Sequence, residues 1–377
     1  MTDDARRALA YLSRVAEPPC PPLTALVRRM GAIEVARLVK AGAVDAELAS
    51  RTEARRGIDC AAEDLDILAR RGGRLITADD DEWPLLSFTG FTGVDHRMRP
   101  EAHPPLALWA IGPARVDDVA QRAAAIVGTR ACTAYGEHVA AELAAGLVER
   151  DVAVVSGGAY GIDGAAHRAT LATDGVTVAV LAGGIDVPYP SGHTALLHRI
   201  AEEGLLLSEY PPGVRPARHR FLTRNRLVAA LAGATVVVEA GARSGAANTA
   251  AWARALGRPV CAVPGPVTSA ASVGCHALLR NDQANIVTRA ADVVELIGHV
   301  GELAPDEARP ESMLDGLDEA GRRVYDALPA RGRRTVDQIA VTAGLPATQV
   351  LGPLSMLEVC GLVTRVDGYW KLCRPGS

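Results

Sequence analysis

Val152-Ala-Val-Val-Ser-Gly-Gly-Ala-Tyr-Gly-Ile-Asp163 decides the fold, because a short apolar run passes through glycines into the start of a helical pattern. Its first residues, Val152–Ser156, are one of six strand candidates. The others are Ala124–Gly128, Val176–Ala182, Leu205–Glu209, Thr235–Glu239 and Pro259–Val263. Short, wholly apolar strands that alternate with helices are typical of a parallel sheet covered on both faces. The pattern therefore predicts an α/β fold with a doubly wound parallel sheet.

Residues 1–72 carry a different pattern, with apolar residues at three- and four-residue spacing. This spacing predicts helices over Ala5–Val15, Leu23–Met30, Ile33–Ala41 and Ala61–Arg71. Gly31 joins the second helix to the third. This arrangement occurs in helix-hairpin-helix elements that present amides to phosphate, and also in small helical packing modules. We expect an N-terminal helical domain at 1–72, SAM-like or helix-hairpin-helix-like, before an α/β domain at 73–298.

The C-terminal part begins with a linker, because residues 299–316 hold two prolines and five acidic side chains. Residues 317–377 then show three helical stretches and two short strands around Asp367-Gly368, a favoured hairpin turn. This order predicts a winged-helix-like domain. Its third helix, Ala347–Cys360, has no Lys or Arg, and Pro353 is expected to disturb its middle. We therefore expect a packing or protein-partner module rather than a reader of duplex DNA.

The composition excludes several classes of protein. Forty Lys and Arg against 44 Asp and Glu give a formal charge of −4, so any nucleic-acid site must be a local patch. The N-terminus lacks the apolar core of a secretory signal, and the longest uncharged stretch, Pro259 to Leu279, is interrupted by prolines. The seven scattered cysteines include no CxxC pair, which favours reduced thiols. We expect a cytoplasmic protein with no membrane segment, no metal and no other cofactor.

Two glycine-rich loops follow predicted strands, at the edge where such a sheet binds ligands. In the first loop, Gly128 lets the backbone approach a ligand and Arg130 adds a cation. In the second loop, Ser156, Gly157 and Gly158 are suited to an anion-binding nest of consecutive N–H groups. Glycine-rich turns also serve tight packing alone, but two adjacent loops of this kind favour a binding site.

The segment Val214–Leu231 has a local excess of positive charge, with five arginines and no Asp or Glu. Its basic residues are Arg215, Arg218, His219, Arg220, Arg224 and Arg226. An exposed basic run is often only a solvated face. However, Arg224-Asn225-Arg226 begins an apolar helix, where guanidinium groups can converge on the same strand ends. So many arginines fit repeated phosphate contacts better than a clamp for one small molecule.

Catalytic signatures are weak. Glu239, at another strand end, is a candidate general base or ribose ligand, but a structural acceptor for neighbouring groups is favoured. Ser156, Asp163 and His167 have the residue types of a triad. Asp163 and His167 nevertheless lie four apart at the start of one helix, where an N-cap and a packed histidine explain them. The sequence contains no nucleophile elbow and no phosphate-loop motif, so we expect that the protein is not an enzyme.

Seven stretches, in order, resemble the DNA-processing protein A family, DprA, also called Smf. They are Ala125-Ile-Val-Gly-Thr-Arg130, Val155-Ser-Gly-Gly-Ala-Tyr-Gly-Ile-Asp-Gly-Ala-Ala-His167, Ala179-Val-Leu-Ala-Gly-Gly-Ile-Asp-Val-Pro-Tyr-Pro190, Leu207-Ser-Glu-Tyr-Pro-Pro-Gly213, Phe221-Leu-Thr-Arg-Asn-Arg226, Val238-Glu-Ala-Gly-Ala-Arg-Ser-Gly245 and Ala262-Val-Pro-Gly-Pro266. The resemblance implies an extended Rossmann-like domain that binds single-stranded DNA.

The resemblance also implies a function. A member of this family is expected to be a recombination mediator that protects incoming DNA and loads RecA in natural transformation. It is expected to form a homodimer through the Rossmann-like domain and to have no catalytic reaction. The DNA-binding positions expected here are Gly128, Thr129, Arg130, Ser156, Gly157, Gly158, Tyr160, Arg224, Asn225, Arg226, Ser244 and Gly245. Asp163, His167 and Glu239 are expected to be structural residues of the pocket.

Two positions depart from the family pattern. Tyr160 stands where some homologues have lysine, and we expect its ring to stack on a base. Asn248 stands at a position where the family commonly has an apolar residue.

Two other functions remain open at this point. Nucleotide-processing enzymes of the phosphoribohydrolase type share the sheet, but Glu239-Ala-Gly-Ala-Arg-Ser-Gly245 replaces their Pro-Gly-Gly-x-Gly-Thr-x-x-Glu loop. Release of free base from AMP would identify such an enzyme. A sequence-specific transcription factor would use the winged helix, and selection on random duplex DNA would identify it.

Overall fold

The computed structural model describes residues 2–241, 244–298 and 317–373. The predicted linker, residues 299–316, lies outside these ranges. The chain divides into two compact units, residues 1–304 and 305–377.

Five helices form the N-terminal region: α1 (Asp3–Val15), α2 (Pro21–Met30), α3 (Ala32–Ala41), α4 (Ala46–Thr52) and α5 (Ala61–Arg70). The predicted helices are all present, and α4 is additional. The side chain of Thr2 caps α1 by accepting a hydrogen bond from the amide of Ala5. Gly31, at φ +81°, separates α2 from α3 as expected.

The rest of the first unit alternates strands and helices. Its elements are β1 (Gly73–Thr77), α6 (Leu85–Thr89), β2 (Ala107–Ile111), α7 (Val116–Gln121), β3 (Ala123–Val127), α8 (Ala134–Val148), β4 (Ala153–Ser156), α9 (Ile162–Ala172), β5 (Thr177–Leu181), α10 (Thr194–Glu203), β6 (Leu205–Ser208), α11 (Arg218–Ala230), β7 (Ala234–Val237), α12 (Gly245–Ala255), β8 (Val260–Ala262), α13 (Val273–Arg280), β9 (Asn285–Ile286) and α14 (Ala290–Ile297). Short 3₁₀ helices cover Gly90–Gly93 and Ser191–His193.

The nine strands form one sheet in the order β1-β2-β6-β5-β4-β3-β7-β8-β9. The strands from β3 to β9 run parallel, whereas β2 is antiparallel to both β1 and β6. The six predicted strands are β3 to β8, and the predicted fold class is confirmed. β1, β2 and β9 are additional strands; β9 has only two residues, both exposed, and so has no apolar run to mark it.

The helical region and the sheet share one core. Leu12, Val35 and Leu68 from the helices pack in the same buried cluster as Trp109 and Leu206 from the sheet. Residues 1–72 therefore cover the part of one sheet face that β1, β2, β5 and β6 form, and they do not pack as a separate unit.

The chain order places a switch point between β3 and β7. From β3 the chain moves outward through β4, β5 and β6, and it then returns to the other side of β3 with β7. Connections therefore leave β3 and β7 in opposite directions, and the carboxyl ends of these strands face a crevice, the usual ligand position in an open α/β sheet.

The second unit has the predicted order of elements: α15 (Glu319–Asp326), α16 (Val336–Ala343), α17 (Ala347–Val359), β10 (Val363–Val366) and β11 (Tyr369–Leu372). Its own core contains Val324, Ile339, Leu357 and Trp370. The expectation that Pro353 disturbs the third helix is wrong, because α17 continues through it. In the described part of the chain, no single helix is long and apolar enough to cross a membrane; the pair α16 and α17 has that length and composition but bends by 104°.

Candidate nucleic-acid interface

A cleft of about 790 Å³ opens at the carboxyl ends of β3, β4 and β7. Eight of the predicted DNA-binding residues line it: Gly128, Thr129, Arg130, Gly157, Arg224, Asn225, Ser244 and Gly245. Gly128 is required for this packing, because a Cβ there would collide with the side chain of Ile162 and the carbonyl of Glu239. A larger cleft of about 1060 Å³ lies between α2, α3 and residues 77–106, and it contains none of the predicted site residues.

Aromatic rings form one wall of the cleft. The guanidinium of Arg130 lies 5.1 Å from the ring centroid of Phe221, and Tyr189 lies 5.4 Å from Phe221 on a tilted plane. Tyr189 is 44% exposed and Arg130 is exposed. The wall thus combines a cation with flat rings that a base can stack on.

Arg224 lies deeper in the cleft and is 6% exposed. Its Nη1 donates to the carbonyls of Gly157 (2.8 Å) and Val180, and its Nε donates to Oδ1 of Asn225 (3.3 Å). Burial lowers the pKa of Arg224 to about 10, against the opposing charge of Asp163. The group is therefore still a cation at neutral pH, held rigidly by backbone carbonyls.

The glycine loop after β4 is already occupied by an internal carboxyl group, that of Asp163. Oδ2 of Asp163 accepts hydrogen bonds from the amides of Gly157 (3.1 Å) and Ala159 (3.4 Å). Burial raises the pKa of the Asp163 carboxyl, although Arg224 and these amides act in the opposite direction. Gly157 is the one member of the predicted nest among these two donors, and its amide donates to Asp163. The same contacts correct the expected N-cap role, because Asp163 caps the loop and not its own helix.

The start of α12 is a second place for an anion. Ser244 caps the helix by accepting a hydrogen bond from the amide of Ala247 (3.3 Å), and Gly245 and Ala246 line the cleft. First-turn amides lack partners within a helix, and the helix dipole favours negative charge there.

An amide pair links α11 to α12. Nδ2 of Asn225 donates to Oδ1 of Asn248 (3.1 Å), and it lies 3.4 Å from the carbonyl of Gly245. Asn248, which departs from the family pattern, therefore orients Asn225, which in turn accepts from Arg224.

Three residues of the second predicted loop do not line the cleft. Ser156 is fully buried, and its hydroxyl donates to the carbonyl of Ile126 (2.6 Å). The carbonyl of Gly158 lies 3.1 Å from Nδ1 of His193. Tyr160 is 44% exposed, but its hydroxyl accepts from the amide of Gly192 (3.1 Å) and its ring packs on His193. The loop thus turns its serine inward and its tyrosine toward residues 191–193.

Arg226 is also absent from the cleft, which corrects its expected place in the basic wall. It is fully buried and forms an ion pair with Glu209, with 2.6 Å between Nη2 and Oε1. Two further residues of the basic segment, His219 and Arg220, contact Glu17. Arg215 and Arg218 are exposed, and no ion pair to either side chain occurs within the described ranges. Of these two, Arg218 lines the cleft.

His167 and Glu239 have packing roles. Nδ1 of His167 lies 2.7 Å from Oγ1 of Thr177, so His167 and Ser156 do not form a nucleophile and base pair. Glu239 is 1% exposed and accepts from the amide (2.9 Å) and hydroxyl (2.6 Å) of Thr133. These contacts fit the structural role that was favoured for Glu239 over that of a general base or ribose ligand. No group of three or more His, Cys, Asp or Glu in the described residues is placed to hold a metal ion.

Sequence reasoning missed the aromatic wall and its apolar neighbours, which are Tyr189, Pro216, Phe221 and Leu222. Arg218 was expected in the basic segment but not named as a site residue. A signal was present for Tyr189 and Phe221, because aromatic residues are only 4% of the chain and these two stand in loop and helix-start positions beside prolines or arginines.

Comparison with known proteins gives two family matches. Residues 74–298 match the family described as DNA recombination-mediator protein A, and residues 305–369 match the DprA winged helix domain. A protein named as the DNA processing protein DprA of Mycobacterium tuberculosis is 69% identical over 377 residues, covering 100% of this chain and 97% of that protein. Protein Smf of Escherichia coli is 35% identical over 254 residues, covering 66% of this chain and 68% of that protein.

A solved structure shows the same relationship. The structure of DNA processing protein A from Streptococcus pneumoniae aligns with a TM-score of 0.62 at 28% identity, covering 78% of this chain and 97% of that chain. The resemblance stated from the sequence motifs is confirmed by these matches.

Proposed function

The chain belongs to the DNA recombination-mediator protein A family, and on that premise we propose that its cleft binds single-stranded DNA. In this proposal the protein is a cytoplasmic recombination mediator that protects incoming strands and loads RecA on them. It acts as a homodimer and has no catalytic reaction of its own. RecA loading and dimer formation rest on the family alone.

The observation that carries the proposal is the pairing of free cations with aromatic rings in one cleft. Arg130 and Arg218 are exposed and line the cleft beside Phe221 and Tyr189. Arginine neutralises backbone phosphates, and ring faces stack on bases of any identity. A duplex hides its base faces, so this combination favours a single strand and little sequence preference.

The site residues proposed to contact DNA follow from this geometry. The phosphates are expected at Arg130, Arg218 and the start of α12 at Ser244 and Gly245, and Gly128, Thr129, Gly157, Arg224 and Asn225 complete the cleft. The loop amides of Gly157 and Ala159 are not assigned to phosphate, because Asp163 holds them.

The enzymatic alternative has no observation in its favour. Asp163 is the one carboxylate that lines the cleft among the described residues, and it is held by two amides. A glycosidic hydrolase needs a carboxylate that can approach its substrate. Incubation with AMP is expected to release no free base.

The test is a titration of labelled oligothymidine and of a duplex at several salt concentrations. Single-strand binding is expected to be the tighter, and each phosphate contact contributes about 0.7 to the slope of log K against log salt. Arg130→Ala should lower that slope by about this amount. Arg37→Ala is the matched control, because Arg37 is exposed and pairs with Glu34 away from the cleft. Equal affinity of Arg130→Ala and the parent protein would place the DNA elsewhere.

A further inference from the structure

Glu17, two residues after the end of α1, is the centre of an ionic cluster that joins the helical region to α11. Its carboxylate accepts two hydrogen bonds from Arg220, Nε to Oε1 at 2.7 Å and Nη2 to Oε2 at 2.8 Å. It also accepts one from Arg55 (2.7 Å) and lies 3.2 Å from Nε2 of His219. Partial burial raises the pKa of Glu17, but the bonds from Arg220 and Arg55 outweigh it and the net pKa is lowered. Glu17 is therefore an anion at neutral pH.

Arg220 uses all of its nitrogens in this cluster. Besides its bonds to Glu17, its Nη1 donates to the carbonyl of Arg215 (2.7 Å), and its guanidinium lies 4.8 Å from the ring centroid of Tyr210. Its side chain is only 12% exposed. Arg220 thus ties the first turn of α11 both to the preceding loop and to the helical region.

A second arginine supports the same loop from the helical region. Arg14, in α1, holds Asp64 with two hydrogen bonds (2.7 and 2.5 Å) and donates to the carbonyl of Pro212 (2.7 Å). The loop that leads into α11 is therefore fastened at two points to residues 1–72.

The start of α11 needs such support. Arg218, His219 and Arg220 place three basic residues at the positive end of the helix dipole, and the first turn has neither an acidic residue nor a side-chain cap. Cations at this end of a helix are unfavourable. Glu17 supplies, from another element, the negative charge that this helix start lacks.

The geometry of a helix connects this support to the cleft. Residues two apart in a helix point to nearly opposite sides, whereas residues three apart share a face. Arg220 faces Glu17, and Arg218 and Phe221 line the cleft on the other side.

We propose that Glu17 is a positioning residue for nucleic-acid binding: by holding Arg220, it fixes the first turn of α11 so that Arg218 and Phe221 face the cleft. This inference rests on the proposed function for the ligand, but the hold on α11 does not depend on DNA.

The experiment uses Glu17→Gln in the full chain, with Glu34→Gln as the matched control. Each variant removes one negative charge from the helical region, and Glu34 is exposed and contacts Arg37. Simple electrostatics predicts tighter DNA binding for both variants. Positioning predicts instead that Glu17→Gln weakens binding to oligothymidine about fivefold at 0.1 M salt and lowers the salt slope by about 0.7, the contribution of one phosphate contact. Unchanged or tighter binding by Glu17→Gln would overturn the inference.

Hydrogen–deuterium exchange without DNA is the second measurement. Amides at residues 218–222 are expected to exchange faster in Glu17→Gln than in the parent protein and in Glu34→Gln. Equal exchange in all three proteins would overturn the inference whatever the DNA result. If the parent protein fails to bind oligothymidine while Glu17→Gln still speeds exchange, the proposed function fails and the hold of Glu17 on α11 stands.

Discussion

Arg226 and Glu209 form an ion pair in the interior, with 2.6 Å between Nη2 and Oε1 and with both side chains buried. The guanidinium also lies 5.8 Å from the ring centroid of Phe91. Nε and Nη1 of Arg226 have no hydrogen-bond partner among the described residues. The pair holds α11 against the end of β6, so this arginine stabilises the fold, while its neighbour Arg224 lines the cleft.

Loss of Arg226 is expected to lower the stability of the fold and to leave the salt slope of DNA binding unchanged. Arg226→Ala leaves the Glu209 carboxyl, whose pKa burial already raises, without its ion-pair partner in the interior. We expect this loss to lower the free energy of unfolding by about 3–5 kcal/mol. Urea denaturation measures this change. A double variant, Arg226→Met with Glu209→Leu, removes both charges and should recover much of the loss. A lower salt slope of DNA binding at unchanged stability would show that Arg226 contacts DNA after all.

Phe221 is expected to contribute stacking without charge. Phe221→Ala should weaken binding to oligothymidine by about 1–3 kcal/mol, the range for one base on one aromatic ring. The salt slope should stay the same, because no phosphate contact is lost. Phe221→Tyr keeps a ring of the same shape and serves as the control. If Phe221→Ala binds like the parent protein, the bases do not stack on this wall.

His167 is expected to make stability depend on pH. The hydroxyl of Thr177 donates to the carbonyl of Val154 (2.9 Å), so it accepts from Nδ1–H of His167, and Nε2 is left buried without a partner in the described chain. Protonation would place an unpaired charge in the core, and burial lowers the pKa of His167 to about 3. The unfolded chain takes up this proton near pH 6.5. Stability from this group is therefore complete above that pH and declines as the pH falls toward 3.

The expected size of this decline is about 2 kcal/mol between pH 7 and pH 5. Urea denaturation at pH 7 and pH 5 measures it. His167→Asn keeps a donor for Thr177 but does not titrate, so its stability should change less over this interval. His198→Asn, at an exposed position, should behave like the parent protein. Identical pH dependence in His167→Asn would exclude His167 as the source.

The sequence predicted the strands and helices of the sheet better than it predicted the side-chain contacts at the cleft. Strands such as Val152–Ser156, observed as Ala153–Ser156, are short and apolar, and this one is followed by glycines. Burial in a parallel sheet requires such apolar runs. The side-chain contacts of α11 could not be predicted in this way, because position in a helix alone does not say which arginine contacts Glu209, Glu17 or solvent. Those partners lie more than ten residues away in the chain. Asp163 shows the same limit: its spacing suggested a cap, but only the folded loop reveals which amides it accepts from.

The C-terminal unit is expected to be dispensable for single-strand binding. Its third helix, α17, carries no Lys or Arg and exposes Leu351, Met356 and Val359. This surface suits protein contact more than phosphate contact. A chain ending at residue 298 should therefore keep its affinity for oligothymidine. If this shortened chain loses single-strand affinity, or if residues 317–377 alone bind duplex DNA below micromolar concentration, the unit has a direct DNA role.

The core that α1 to α5 share with the sheet sets how the molecule comes apart on heating. Leu12 and Leu68 belong to the same buried cluster as Trp109 and Leu206, so melting of the helices would expose this part of the sheet to water. Scanning calorimetry of the whole chain should show helices and sheet absorbing heat in one cooperative transition, separate from that of the winged helix with its own core. Any molecule that loosens α1 would then lower the melting temperature of the DNA cleft itself.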